Sequence, residues 1–256
     1  MVIGFDRFRE AFRAFAENYI VIGGSACDWL FTSLNAQFRA TKDIDLVVVA
    51  ERMTPEFASS LWAFIRAGGY KAYERKDGKK CFYRFQDPAT EGFPFMLEFF
   101  SREPIEFPVA EGSVIVPIPV DDESVSSLSG ILLDENYYSF IRRNRMEVDG
   151  VSVLPAEALL LLKAKAWMDL SARKARGEFV KDKDLRKHRT DVLRLQAQIV
   201  EGTQVELVEP LRADMVEFLA AYEKEPLDPK TIGVPGTFAE ALSRIREVFG
   251  VEVARQ

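Results

Sequence analysis

The segment Tyr19-Ile20-Val21-Ile22, followed by Gly23-Gly24-Ser25-Ala26, constrains this chain more than any other. A short β-branched apolar run, broken by two glycines and then resumed by helix-compatible residues, reads as a buried strand, a tight turn and a helix. The helix is expected from Ser25 to about Leu34, with Ser25 as its N-cap. Glycines at such a turn let the backbone approach a ligand closely, and the positive end of the helix would face an anion such as a triphosphate. The spacing matches neither GxGxxG nor the phosphate-loop pattern, and a plain tight turn also accounts for it.

Downstream stands Arg39-Ala40-Thr41-Lys42-Asp43-Ile44-Asp45-Leu46-Val47-Val48-Val49, a charged loop running into a β-branched strand over 44–49. Side chains two apart on a strand share a face, so Asp43 and Asp45 point together while Ile44 enters the core. Adjacent carboxylates repel unless a cation or hydrogen bonds hold them. Mg²⁺ suits that position, because it takes oxygen ligands and keeps places open for phosphates. A third carboxylate, Glu98, lies inside the apolar run Phe95-Met96-Leu97-Glu98-Phe99-Phe100, where a charge needs a metal or an arginine to balance it. Three carboxylates on neighbouring strands would serve in-line displacement at phosphorus, one of them activating the incoming hydroxyl. The plainer alternative is that Asp43 and Asp45 cap a loop and that Glu98 pairs with Arg84 or Arg102.

The remaining pattern divides the chain. A first helix spans roughly 6–17, and Thr54-Pro55-Glu56 opens another that stops at Gly68-Gly69. Strands are expected over 70–74, 80–85 and 93–100, with a turn at Asp77-Gly78 and an edge strand over 114–120. A hairpin over 146–153 turns at Asp149-Gly150. From Pro155 onward helices dominate, at 156–174, 183–200, 207–222 and 238–248. The expected fold class is α+β, a mixed sheet with flanking helices over 1–153, followed by a helical C-terminal domain over 154–256, with the site in the cleft between them.

Composition bounds the class. The 256 residues are 48% hydrophobic and 29% charged, without repeats or low-complexity runs. Only two cysteines, Cys27 and Cys81, are present, which fits a reducing compartment and neither a disulfide framework nor a zinc site. No apolar stretch reaches membrane-spanning length, so a cytoplasmic location without a membrane partner is expected. A net charge of −6 argues against coating nucleic acid by bulk electrostatics. The basic stretch from Arg173 to Arg194 reads either as a local patch or as a solvated helix face.

Gly23-Gly24-Ser25-Ala26 leading to Arg39-x-Thr41-x-Asp43-Ile44-Asp45 resembles the signature of the polymerase-beta-like nucleotidyltransferases. Leu154-Pro155-Ala156-Glu157, Leu162-Lys163-Ala164-Lys165-Ala166 and Lys187-His188-Arg189-Thr190-Asp191-Val192 resemble the AbiEii/AbiGii toxin family, the nucleotidyltransferase halves of abortive-infection toxin–antitoxin pairs. The likeness covers most of residues 19–195 and implies a nucleotidyltransferase-fold sheet. It also implies that Gly23, Gly24, Ser25, Arg39, Thr41 and Lys187 hold the nucleotide and that Asp43 and Asp45, with Glu98, ligate Mg²⁺ or Mn²⁺. Lys163, or Lys165 in the neighbouring register, would neutralise phosphate, and Asp191 would complete the catalytic set. Glu98 departs from the family's commoner aspartate.

The implied reaction carries a nucleoside monophosphate from an NTP to an acceptor, either RNA such as tRNA or a protein, with a cognate antitoxin as partner. Two alternatives use the same residues: a small-molecule nucleotidyltransferase of the aminoglycoside-modifying kind, and a non-catalytic nucleotide-binding module. The helical residues have plainer readings as well. Lys163 could snorkel at the edge of the core, and Lys187 with Asp191 could form an ordinary helix ion pair.

Overall fold

A computed structural model describes residues 2–72, 81–101, 131–132 and 134–251. The expected turn at Asp77-Gly78 and the strand over 114–120 lie outside them. The described residues fall into two compact units, one within Met1–Leu133 and Ile141–Pro155, the other within Asp134–Phe140 and Ala156–Gln256.

In the first unit, α1 (Phe5–Phe12) places Phe5, Phe8 and Phe12 on one face, and all three are buried. Phe8 and Phe12 meet Tyr19 of β1 (Tyr19–Ile22) and, from α3 (Pro55–Gly68), Phe57 and Phe64, with ring centroids 5–6 Å apart. Between these elements run α2 (Gly23–Ser33) and β2 (Asp43–Val48). Thr54 caps α3 by accepting from Phe57 N at 3.2 Å, and Gly69 ends it at φ +61°, as the Thr-Pro and Gly-Gly signals predict. The first helix is shorter than its sequence signal because residues 13–15 tighten into a 3₁₀ turn.

β3 (Lys71–Ala72), β4 (Cys81–Gln86), β5 (Met96–Ser101), β6 (Met146–Val148) and β7 (Val151–Val153) complete a mixed sheet in the order β3-β4-β5-β2-β1-β7-β6. β2 runs antiparallel to β1 and parallel to β5. The β6–β7 hairpin turns at Asp149 (φ +50°) and Gly150 (φ +78°), the paired positive angles that the Asp-Gly dipeptide favours.

α4 (Glu135–Arg143) is an element the sequence reading lacks. Asn136, Tyr137, Tyr138 and Ser139 are weak helix formers, which hides it. Its signals are Asp134, whose carboxylate accepts from Asn136 N and Tyr137 N, and two arginines in the last turn.

The second unit is helical: α5 (Ala156–Ala175), α6 (Asp182–Gln196), α7 (Glu209–Tyr222) and α8 (Phe238–Phe249). Leu159, Leu160, Leu161 and Leu162 are all buried, so α5 is apolar around its circumference over that turn, which belongs to the interior. Trp167 of α5 meets Phe218 and Tyr222 of α7 edge-on. α6 stops at Gln196, short of the expected Val200, and α8 opens on a full capping box between Thr237 and Glu240. The architecture is thus the α+β mixed sheet with flanking helices, followed by C-terminal helices. No helix among the described residues is long and apolar enough to cross a membrane.

Candidate functional site

Strand pairing lines up one residue from each of four neighbouring strands: Ile22 on β1, Asp45 on β2, Glu98 on β5 and Arg84 on β4. Residues directly opposite across strands project to the same face, so Asp45, Glu98 and Arg84 stand side by side. Asp43, two residues before Asp45, shares that face, while Ile44 between them is wholly buried.

The glycine turn closes onto this row. Gly23 has φ +69°, and a Cβ there would collide with Asp45 Oδ2 and sit 2.9 Å from its Cγ. Only glycine accommodates both the angle and the approach. A Cβ on Gly24 would meet Thr41 Oγ1 at 2.9 Å and Arg39 Nη2 at 3.5 Å. The turn therefore packs directly on the three residue types that follow it in the Arg-x-Thr-x-Asp-x-Asp pattern.

Ser25 corrects the expected helix start. α2 is entered through Gly23, with Ile22 at the cap position and no capping side chain, so Ser25 lies inside the first turn. Its hydroxyl is fully buried, donates to Ile22 O at 3.1 Å and accepts from Asp45 N at 3.4 Å. It ties the turn to the carboxylate strand.

Glu98 is balanced by the arginine rather than left bare. Arg84 donates through Nε and Nη2 to Oε1 at 2.7 and 2.6 Å, with both side chains only 13% exposed. Arg102, the other partner considered, lies outside the described residues. Burial, then the neighbouring Asp45 charge, pushes Glu98 up to about 8 against the downward pull of Arg84.

Among the described residues no group of three acidic, histidine or cysteine side chains is arranged to hold an ion. The hold of Arg84 on Glu98 is a physical reason. The donor set itself is all carboxylate oxygen, which fits Mg²⁺ or Mn²⁺ and not a softer metal. A divalent cation beside Asp45 would also favour the ionised form of Glu98.

In the second unit, Lys163 and Asp191 come together. Lys163 Nζ lies 3.3 Å from Asp191 Oδ2, and Arg194 Nη1 lies 3.7 Å from Oδ1. Asp191 is fully buried and Lys163 nearly so, which places the ammonium inside the unit instead of snorkelling at its edge. Lys187 is exposed, one turn before Asp191 on α6. Lys165 is committed elsewhere: its Nζ is 2.7 Å from Asp214 Oδ1, while the Tyr137 hydroxyl donates to Asp214 Oδ2 at 2.9 Å. Burial and the Asp214 charge push the Tyr137 phenol up. Sequence reasoning missed this Tyr137–Asp214–Lys165 cluster because one member sits on the unforeseen α4.

No family model matches this chain, and no curated protein matches it. A solved structure described as an antigenic nucleotidyltransferase-like protein from Paracoccidioides brasiliensis aligns with it at 15% identity and a TM-score of 0.44, covering 96% of this chain and 98% of that one.

Proposed function

We propose that this protein is a Mg²⁺-dependent nucleotidyltransferase that moves a nucleoside monophosphate from an NTP to an acceptor. One observation carries the reading: the Gly23-Gly24-Ser25 turn packs directly on Asp45, Thr41 and Arg39, with Glu98 alongside. A bare structural turn needs no such neighbours, whereas a triphosphate site needs a backbone turn and carboxylates within one ligand's reach.

In this reading the acceptor hydroxyl oxygen attacks the α-phosphorus. The bond from that phosphorus to the bridging oxygen breaks, and pyrophosphate leaves. A carboxylate of the Asp45/Glu98 pair takes the hydroxyl proton. Asp43 and Asp45 would hold Mg²⁺, which neutralises the triphosphate and makes the α-phosphorus more electrophilic. Gly23, Gly24, Arg39 and Thr41 position the phosphates, and Ser25 fixes the turn against Asp45. Arg84 keeps Glu98 in place and eases its ionisation.

The resemblance also assigns Lys163, Lys187 and Asp191 to the nucleotide; of these, Lys163 and Asp191 pair with each other in the second unit and Lys187 is exposed. We assign the toxin role of the AbiEii/AbiGii type, with an RNA such as tRNA or a protein as acceptor and a cognate antitoxin as partner, on the motif resemblance. The test is label transfer from each α-³²P-NTP with Mg²⁺, total RNA and total protein. One RNA or protein class should take the label, and Asp43→Ala and Asp45→Ala should each abolish it. Undiminished transfer by both variants would sink the mechanism. Nucleotide binding without transfer would favour a non-catalytic module. Protection of cells against aminoglycosides in place of growth arrest would favour a small-molecule acceptor.

A further inference from the structure

β2 and β5 are parallel, so they begin at the same end of the sheet. Residues 40–42, leading into β2, and residues 87–93 with Phe95, leading into β5, line a groove of about 860 Å³, within the size range of ligand sites. Two exposed large apolar side chains line it, Ile3 at 74% and Phe95 at 49% exposure. Lys42, also exposed and also in the groove, holds its ammonium 5.9 Å from the Phe95 ring centroid.

Position gives this pair its meaning. Asp43 pairs with Met96 across the two strands, and Lys42 and Phe95 are the residues immediately before them. Along the backbone, each stands one residue before a member of that pair, at the end of the sheet where β2 and β5 begin. Thr41 belongs to both places: its hydroxyl lies against Gly24, and the residue is one of those that line the groove.

An exposed ring beside an exposed ammonium matches a nucleotide unit, whose base stacks and whose phosphate meets the cation. Asp87 and Glu91 also line the groove, so it is not a basic track for a long polyanion. That agrees with a chain of net charge −6.

We propose that this groove is a second nucleotide-unit site, distinct from the glycine turn, where the acceptor's terminal base stacks on Phe95 and its phosphate meets Lys42. Calling the occupant the acceptor rests on the nucleotidyl-transfer reading; the binding itself does not.

The test uses the full chain, Mg²⁺ and a saturating non-hydrolysable NTP analogue to fill the glycine-turn site. The probes are the four nucleoside monophosphates and the four RNA homotrinucleotides. At least one probe should bind with the analogue present, and Phe95→Ala should weaken it roughly tenfold. Phe95→Trp should retain binding and show quenched fluorescence, and Lys42→Ala should lower the salt dependence by about one phosphate contact. A trinucleotide bound far more tightly than its mononucleotide identifies an RNA end as the source. Equal affinities identify a free nucleotide.

The inference is overturned if no probe binds, if the analogue competes with the probe, or if Phe95→Ala binds like the wild type. Parallel loss of analogue binding in Phe95→Ala would also overturn it. Absence of label transfer by the wild-type chain would count against the catalytic reading alone, leaving this binding result to stand or fall separately.

Discussion

Replacing Gly23 by alanine tests the contact on which the site is built. Two penalties add. Gly23 sits at φ +69°, where an L-residue costs about 1–2 kcal/mol. Its new Cβ would also collide with Asp45 Oδ2, forcing that side chain from its well at a further cost of roughly 0.5–1.5 kcal/mol. The total is about 2–3 kcal/mol. Gly150 supplies the control within the same unit: its φ is +78°, but a Cβ there would meet only Arg13 Cβ at an ordinary 3.4 Å. Gly150→Ala should therefore show the backbone penalty alone.

The two units need not unfold together, so the readout is hydrogen exchange in peptides covering β1 and β2 across a urea series, alongside nucleotide affinity. Gly23→Ala should lose about 1 kcal/mol more protection than Gly150→Ala and should lose Mg²⁺-dependent NTP binding, which the control keeps. Equal losses in stability, with NTP binding intact in both, would refute the reasoning.

Other consequences follow from the same contacts. Glu98 titrates near 8 in the folded, cation-free protein against an ordinary 4.5, so its contribution is full below pH 4.5 and lost as pH rises through 8. Cation-free stability should fall by on the order of a few kcal/mol over that window in pH-dependent unfolding, and Glu98→Gln should flatten the slope. Mg²⁺ binding should release a proton below pH 8, detectable by calorimetry in buffers of different ionisation enthalpy. Asp191→Ala strands the buried Lys163 ammonium and should cost about 3–5 kcal/mol in denaturant unfolding of the second unit, whereas an Asp191→Leu, Lys163→Met double variant should recover much of it. Thr237→Ala removes one arm of the capping box and should cost about 1 kcal/mol, seen as faster exchange in the first turn of α8.

The parts legible in the sequence are those fixed by local chemistry. Period-two alternation puts Asp43 and Asp45 on one face, and the Gly-Gly pair marks the turn after β1. Thr54-Pro55 and Asp149-Gly150 carry their own backbone instructions. The parts that were not legible depend on partners distant in the chain. The sequence offers Arg84 or Arg102 for Glu98, and it is the β4–β5 register that sets Arg84 against it, just as packing of α5 against α6 brings Lys163 to Asp191. Ser25 looks like a cap because serine favours that position; Gly23, turning at positive φ, moves the helix start back and leaves Ser25 buried under Asp45 N. The Lys42–Phe95 pair hides for a related reason: an exposed phenylalanine before a strand has the composition of core until strand pairing places it at a groove's edge.

The central claim is transfer of a nucleotidyl group, and parallel reactions with α-³²P-NTP and γ-³²P-NTP test it most directly. With Mg²⁺ and the acceptor present, the account predicts α-label on the acceptor and γ-label in free pyrophosphate, with both signals lost in Asp45→Ala. Label from the γ-position on the acceptor, or pyrophosphate release that survives Asp45→Ala, would contradict it.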